Sequence, residues 1–317
     1  MAEPTVTPSP TVAAAPTVAA APTVAAGPAG RWGRNGRNGR SRRGRHDRRG
    51  VLFWLALGWL ALVAVVAITA RWLPLPDPDD QDIVNRLAPP FTAGHVLGTD
   101  GLGRDILARL AAGAQVSLII SFAAVSIGMV VGGAVGLAAG YVRGWVDSVT
   151  MWAVNVVLAF PGLVLLLGLV AFVGQSLTAI TLVVGFLSVP AYARVARATT
   201  LTVAQREFVL AAKVVGASNR RIMVEEILPN VVPPLAAFGL VALGVVIVLE
   251  GSLAFLGLSV EAPAATWGSM IAEGRQHLSD TTHLAFIPSL VMFLTVLAVN
   301  FVGDVLRSRF DVKESTL

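Results

Sequence analysis

The stretch EFVLAAKVVGASNRRIMVEEILPN, Glu207–Asn230, is a charged segment with long hydrophobic segments on both sides. A helix that begins at its first residue places apolar and small side chains at the i, i+3, i+4, i+7 positions of one face. These residues are Phe208, Ala211, Ala212 and Val215, with Lys213 opposite. The spacing therefore predicts a short helix at this point of the chain.

The second half of the stretch predicts a turn and another helix. Gly216 suits the left-handed position that ends a helix, and Ser218 or Asn219 can cap the next one. We expect the second helix to run through Arg220 and Arg221 and to end before Pro229. An ordinary solvated loop between two membrane spans explains the same residues.

Composition fixes the class of protein. Of 317 residues, 55% are hydrophobic and 14% are charged, and the mean hydropathy is +0.72. A soluble domain of this size is more polar, so the chain is predicted to be an integral membrane protein. Cysteine is absent from the sequence, which excludes disulfides and thiolate metal sites.

Apolar windows of about 20 residues predict an all-α fold with six transmembrane helices. The predicted spans are 51–73, 114–140, 146–173, 177–198, 232–256 and 284–306. Around them we expect a disordered cytoplasmic tail over 1–50, an extracytoplasmic segment over 74–113, a core transmembrane domain over 114–310 and a cytoplasmic tail over 311–317. The charged segment Glu207–Asn230 lies within a predicted cytoplasmic loop, 199–231.

The tail contains a repeated proline- and alanine-rich unit over 1–30 and an arginine-rich run over 31–49. Such a run can bind nucleic acid or mark an export signal, but next to an apolar span it favours a cytoplasmic flank facing anionic lipid. The span 51–73 is longer than a signal core and lacks a clear cleavage site, so it is interpreted as an anchor. We therefore expect the chain to contact membrane lipid and to bind no nucleic acid.

The distribution of basic residues predicts the orientation. With the amino terminus inside, the predicted cytoplasmic segments, both tails included, hold nineteen of the 24 lysines and arginines. Those outside are Arg71, Arg86, Arg104, Arg109 and Arg275. The positive-inside rule therefore places both termini in the cytoplasm of a cell-membrane protein.

Glycine recurs every four residues in and after the second predicted span. The series is Gly128, Gly132, Gly136, Gly140 and Gly144. Four-residue spacing lines one helix face with no side chains, so it predicts a ridge against which another helix packs closely.

Three groups of acidic or histidine residues have both a functional and a plain interpretation. The aspartates of 77–82 can bind a cation or belong to a stiff solvated loop, and His277 and His283 are weak candidates for metal ligands. Glu250, near the outer end of the fifth span, can contact substrate, carry protons or serve as a helix-end carboxylate. For each group we favour the structural role.

No catalytic pattern is present. The only lysines are Lys213 and Lys313, and neither follows the glycine that a phosphate-binding Gly-Lys-Ser/Thr loop requires. Nucleophile triads and zinc-binding HExxH are also absent from the sequence. The sequence thus favours a non-enzymatic transporter or channel component that draws energy from a gradient or a partner.

Three further segments resemble signatures of one family. Residues 95–105, HVLGTDGLGRD, resemble an H-x-LGTD-xx-GRD signature through His95, Gly98, Thr99, Asp100, Gly103, Arg104 and Asp105. Residues 250–268 resemble an E-xx-LSFLGLG segment that ends in Trp-Gly, through Glu250 and Trp267. Residues 300–307, NFVGDVLR, resemble an N-xx-GD-x-LR close. Together they are similar to permease subunits of ATP-binding-cassette importers for peptides and nickel, close to the dipeptide and oligopeptide C-type.

The opening stretch resembles the EAA loop of these importers. Ala211, Ala212, Gly216, Leu228 and Pro229 match its pattern, while Leu210 replaces a glutamate and Glu226 an isoleucine. The resemblance implies that the loop couples to an ATPase through Glu207, Leu210, Ala211, Ala212, Gly216, Ala217, Ser218, Arg220, Arg221, Leu228 and Pro229. The leucine puts a charged contact at its position in doubt and favours coupling by shape.

The resemblance also implies the rest of the assembly. It comprises a type I importer permease fold, a B-type permease partner, two ATPase subunits or one fused ATPase, and an extracytoplasmic substrate-binding protein. ATP and Mg²⁺ would bind to the partners, and no cofactor or metal to this chain. Dipeptides, longer peptides, nickel and haem are all candidate substrates. A gradient-driven transporter using Glu250, or a scaffold using the arginine-rich run, are the other classes left open.

Overall fold

The computed structural model describes residues 39–314, with side chains over 50–307. Two units divide the chain, Met1–Arg45 and His46–Leu317. The proline- and alanine-rich repeat lies outside the described residues. The first helix begins at Gly39, within the tail that was predicted to be disordered.

Helices account for the regular secondary structure of the described residues, so the prediction of an all-α membrane protein is confirmed for this part of the chain. They are α1 (Gly39–Thr69), α2 (Ile106–Ile127), α3 (Gly133–Val142), α4 (Gly144–Ala159), α5 (Gly162–Val173), α6 (Leu177–Val203), α7 (Glu207–Val214), α8 (Asn219–Arg221), α9 (Leu228–Phe255), α10 (Trp267–Arg275) and α11 (His283–Glu314). Two π-helical turns, Gly128–Gly132 and Ile222–Ile227, join α2 to α3 and α8 to α9 without a break.

Five continuous helical runs are long and apolar enough to cross a membrane. They are Gly50–Thr69, Ile106–Val142, Leu177–Val203, Asn219–Phe255 and His283–Arg307. The predicted span 146–173 is instead two helices, α4 and α5, bent by 89°. Phe160 is extended between them (φ −78°, ψ 141°), because a residue before proline avoids the helical region and Pro161 has no N–H to donate.

The second run begins earlier than the predicted 114. Asp105 ends the preceding loop in an extended conformation, and its side chain accepts a hydrogen bond from the backbone N–H of Ala108. This N-cap satisfies one of the free donors at the start of α2. The helix therefore starts at Ile106 and carries its first turns into the segment that was predicted to be a loop.

The prediction that the second helix of the segment Glu207–Asn230 ends before Pro229 is wrong. The chain continues as a helix from Asn219 to Phe255. In a regular helix the proline ring would clash with the carbonyl of Glu225. That carbonyl lies in the π-helical turn Ile222–Ile227, whose wider spacing accommodates the proline.

Helix α6 lies at the centre of the helical body and packs against α2, α3, α5 and α9. Its contact with α2 and α3 runs along four of the predicted glycines. A Cβ atom at Gly128 would lie 2.8 Å from the Tyr192 ring, and one at Gly140 would lie 2.8 Å from Cβ of Thr200. The fifth glycine does not belong to this contact, because α3 ends at Val142 and a Cβ at Gly144 would meet no atom within 4 Å.

Candidate functional site

Helix α7 presents most of its apolar side chains to the outside of the protein. Val209 is fully buried, and Ala212 packs partly against the core. In contrast, Phe208, Leu210 and Val214 are 43%, 49% and 88% exposed. An exposed patch of this kind on a charged segment is typical of a surface that another protein covers.

The turn after α7 depends on the backbone of Gly216, which has φ +85°. Its N–H donates to the carbonyl of Lys213 at 3.0 Å, and the next N–H, of Ala217, donates to the carbonyl of Ala212 at 3.0 Å. These bonds close the end of the helix. Ser218 then caps the following helix by accepting from the N–H of Arg221. The structure thus has the short helix, turn and second helix that the sequence predicts.

The charges on this segment are partly engaged within the chain. Arg221 donates to the Glu225 carboxylate at 2.7 Å, and both side chains are more than half exposed. The predicted contact of Arg221 with a partner stays a prediction. The Lys213 ammonium lies 5.5 Å from the centre of the Tyr141 ring, whose hydroxyl donates to Asn219 Oδ1 at 2.9 Å. Sequence reasoning missed this tyrosine, which ties the end of α3 to the turn after α7.

The segment 95–105 forms a tight loop that leads into the start of α2. Gly98 and Gly103 both have φ +84°, which L-residues rarely adopt. His95 Nδ1 lies 2.9 Å from Asp105 Oδ2, and its other ring nitrogen lies 3.7 Å from Asp82. The side-chain amide of Asn85 donates to the Asp82 carboxylate and lowers the pKa of that half-buried aspartate. The signature residues therefore hold the loop and cap the helix.

Two arginines of this end are buried and share two carboxylates. Arg104 contacts Asp100 at 2.6 Å and Glu273 at 2.8 Å. Arg109, whose side chain is 1% exposed, lies 3.4 Å from the same two acids. The four side chains border a cavity of about 370 Å³ between the loop, α2 and α10. Sequence reasoning missed Arg109 and Glu273, which are 164 residues apart with no spacing signal.

Thr99 connects this loop to the segment before it. Its hydroxyl accepts from the N–H of Ala88 at 2.9 Å and donates to the carbonyl of Asn85. Within residues 50–307, no three histidine or acidic side chains are arranged to hold a metal ion. His277 and His283 instead lie beside the loop, close to Gly101 and Gly98.

Glu250 and Trp267 meet where α9, α10 and α2 pack. Glu250 is 1% exposed and accepts a hydrogen bond from the Ser259 hydroxyl at 2.8 Å. No basic side chain within the described part of the chain forms an ion pair with it. The backbone N–H of Trp267 donates to Ser117 Oγ, and its indole N–H donates to the carbonyl of Leu110, both at 3.2 Å. The carboxyl is thus part of a packed junction.

Comparisons with known proteins agree on one kind of protein. Residues 132–314 match the family described as "Binding-protein-dependent transport system inner membrane component". The chain is 37% identical over 252 residues to the glutathione transport system permease protein GsiD of Pectobacterium atrosepticum, which covers 80% of this chain and 84% of the relative. It is 38% identical, with 80% and 83% coverage, to GsiD of Escherichia coli O1:K1.

A solved structure shares the fold. An inward-facing form of the MetNI methionine ABC transporter superposes with a TM-score of 0.53 at 19% sequence identity. The match covers 63% of this chain and 95% of the other. Identity this low supports the helical arrangement and says nothing of the substrate.

Proposed function

Because the chain belongs to the family of binding-protein-dependent transport system inner membrane components, we propose that it is a peptide-importer permease that is driven through α7 by a cytoplasmic ATPase. The observation that carries this proposal is the exposure of the apolar side chains Phe208, Leu210 and Val214 of α7, on a protein without a nucleotide-binding motif of its own. A partner that covers this face would supply the energy, with ATP and Mg²⁺ bound to the partner.

The connections of α7 suit it to transmit force. It follows the central helix α6 directly and is joined through the Gly216 turn to the continuous run Asn219–Phe255. A push on α7 is therefore applied to two membrane-crossing helices at once. Closure of the ATPases would shift these helices and switch the path between inward- and outward-facing states.

The proposed topology has six spans and both termini in the cytoplasm. The bent pair α4 and α5 counts as one span in this topology, and the arginine-rich run faces the cytoplasm as the positive-inside rule predicts. This orientation puts α7 in the cytoplasm and the segment 95–105 outside. The outer cluster around Arg104 would then lie where an extracytoplasmic binding protein docks.

The proposed assembly contains a B-type permease as the other half of the path, and two ATPase subunits or one fused ATPase. Its substrate class is the peptides, since the similar permeases from Pectobacterium and Escherichia serve glutathione, a small peptide. Nickel and haem are the alternatives within the same family. The permease contributes the path and the coupling surface, and no chemical step.

Transport by the reconstituted assembly tests this proposal. We expect proteoliposomes containing the complex to take up glutathione or short peptides only when ATP is supplied on the side of the ATPases. Uptake that persists without ATP and collapses with the proton gradient would contradict the proposal and favour a gradient-driven transporter. A gradient-driven transporter that uses Glu250 would lose uptake in Glu250→Gln. The ATP-driven importer should keep its uptake in the same variant, because the hydrogen bond from Ser259 supports a structural role for Glu250.

A further inference from the structure

A small cavity lies beside α7, at the end of α3. Its volume is about 300 Å³. It is lined by Tyr141, Arg143, Ala204, Gln205, Leu210 and Lys213. Both charged members of the lining are positive, and none of the six is a carboxylate. No ion pair of Arg143 or Lys213 occurs in the part of the chain that the structure describes.

Arg143 lines this cavity and has a strained backbone. It has φ 60° and ψ −162°, a combination that is essentially confined to glycine. The nearest acid along the chain, Asp147, interacts electrostatically with Arg143 but accepts both of its hydrogen bonds from Arg197. An arginine in a glycine conformation is a departure from local preference that packing within this chain does not explain, which points to a use for the side chain.

Leu210 lines the cavity and is also one of the exposed apolar side chains of α7. A partner that covers α7 therefore also covers the mouth of the cavity and removes water from Arg143 and Lys213. Burying two cations whose nearest acid is already hydrogen-bonded to Arg197 is unfavourable. The partner surface must bring a negative group to this point.

We propose that an acidic side chain of the ATPase subunit enters this cavity and pairs with Arg143 and Lys213. The inference rests on the proposed function, since it takes the ATPase as the protein that covers α7. It adds the polarity of the contact: the permease supplies the cations and the ATPase supplies the carboxylate. The Tyr141 ring, 5.5 Å from the Lys213 ammonium, holds the lysine at the cavity.

Zero-length crosslinking of the purified complex tests the contact directly. A carbodiimide joins a lysine amine to a carboxylate in contact with it, and Lys213 is one of only two lysines in the chain. We expect mass spectrometry to find Lys213 bonded to an aspartate or glutamate of the ATPase, and the product to vanish in Lys213→Arg, which keeps the charge. Crosslinks to the ATPase elsewhere without one at Lys213 would overturn the proposal.

Binding measurements separate the contribution of Arg143 from general electrostatics. Arg143→Gly suits the observed backbone, so the variant should be at least as stable as the parent, yet bind the ATPase roughly threefold to tenfold more weakly. The difference should disappear in ~1 M salt, where the Debye length is about 3 Å. Arg206→Gln, which removes a charge at the start of α7 outside the cavity, is the matched control.

The outcomes distinguish the two proposals. Unchanged affinity of Arg143→Gly, or an equal loss in Arg206→Gln, would overturn the cavity contact and leave the proposed function standing. If the parent protein does not associate with any ATPase and transports without ATP, the proposed function itself fails. Stable association of the parent with the ATPase is therefore measured first.

Discussion

Gly216 forms the turn after α7, the helix that we propose contacts the ATPase. Its φ of +85° is costly for a β-branched residue by about 1–3 kcal/mol, although a Cβ there would meet no atom within 4 Å. We expect Gly216→Val to insert normally but to lose most ATP-driven uptake, because the turn tilts α7. Gly216→Asn is the control, since asparagine tolerates this conformation. Normal uptake by the valine variant would contradict the role of the turn.

Asp100 holds together the two buried arginines before and at the start of α2, because its Oδ2 contacts both Arg104 and Arg109. Asp100→Asn would leave the two buried guanidinium groups with Glu273 and a longer contact of 3.8 Å from Arg109 to Asp79. The change should cost about 3–5 kcal/mol. Adding Arg109→Met should recover part of this loss. Thermal unfolding in detergent micelles measures both. The Glu225→Gln change at the exposed pair with Arg221 is the comparison and should cost less than about 1 kcal/mol.

For single residues, the sequence predicted turn and cap roles better than it predicted side-chain contacts between distant parts of the chain. Gly216 and Ser218 have local signals, since turn and cap preferences act over a few residues, and both residues adopt the expected roles. Pairs such as Arg109 with Glu273 join distant parts of the chain and leave no periodic pattern. Arg221 pairs with an acid one helical turn away, a local contact that the sequence reasoning did not consider.

Among the elements, the close contact of α6 with α2 and α3 gives the sharpest prediction. A Cβ at Gly136 would lie 2.7 Å from Cβ of Ala196. Gly136→Val should therefore separate the helices and lower the unfolding temperature and the yield of folded protein. Gly58→Val, in α1 with no atom within 4 Å, is the matched glycine replacement and should be tolerated. Equal yields of the two variants would argue against the packing ridge.

Hydropathy located the membrane helices, but their ends and bends depend on features that it averages out. The apolar windows give one span over 146–173, whereas Pro161 divides it into two helices. The opposite error occurs at Pro229, where a π-helical turn lets the helix continue. Proline marks a place where the helix must adjust, and the neighbouring backbone decides whether it stops or widens.

For the whole molecule, the number of spans fixes the relation between the termini. Six spans put both termini on one side, whereas crossing by the five continuous helical runs alone would put them on opposite sides. The chain has no cysteine, so a single introduced thiol reports its own side. We expect an impermeant maleimide to label Val84→Cys in intact cells, and Ala2→Cys and Leu317→Cys only after permeabilisation. Labelling of either terminal variant in intact cells would refute the proposed topology.

The continuous helix Asn219–Phe255 has a mechanical consequence. With 37 residues it is about 55 Å long, whereas the hydrocarbon core of a bilayer is about 30 Å thick. One end adjoins the turn after α7, and the other approaches the junction at Glu250. Such a rod acts as a lever: tilting it by about 5° around one end moves the other by about 5 Å. A small tilt imposed by an ATPase at one membrane surface would thus displace the end of this helix at the other surface by several ångströms.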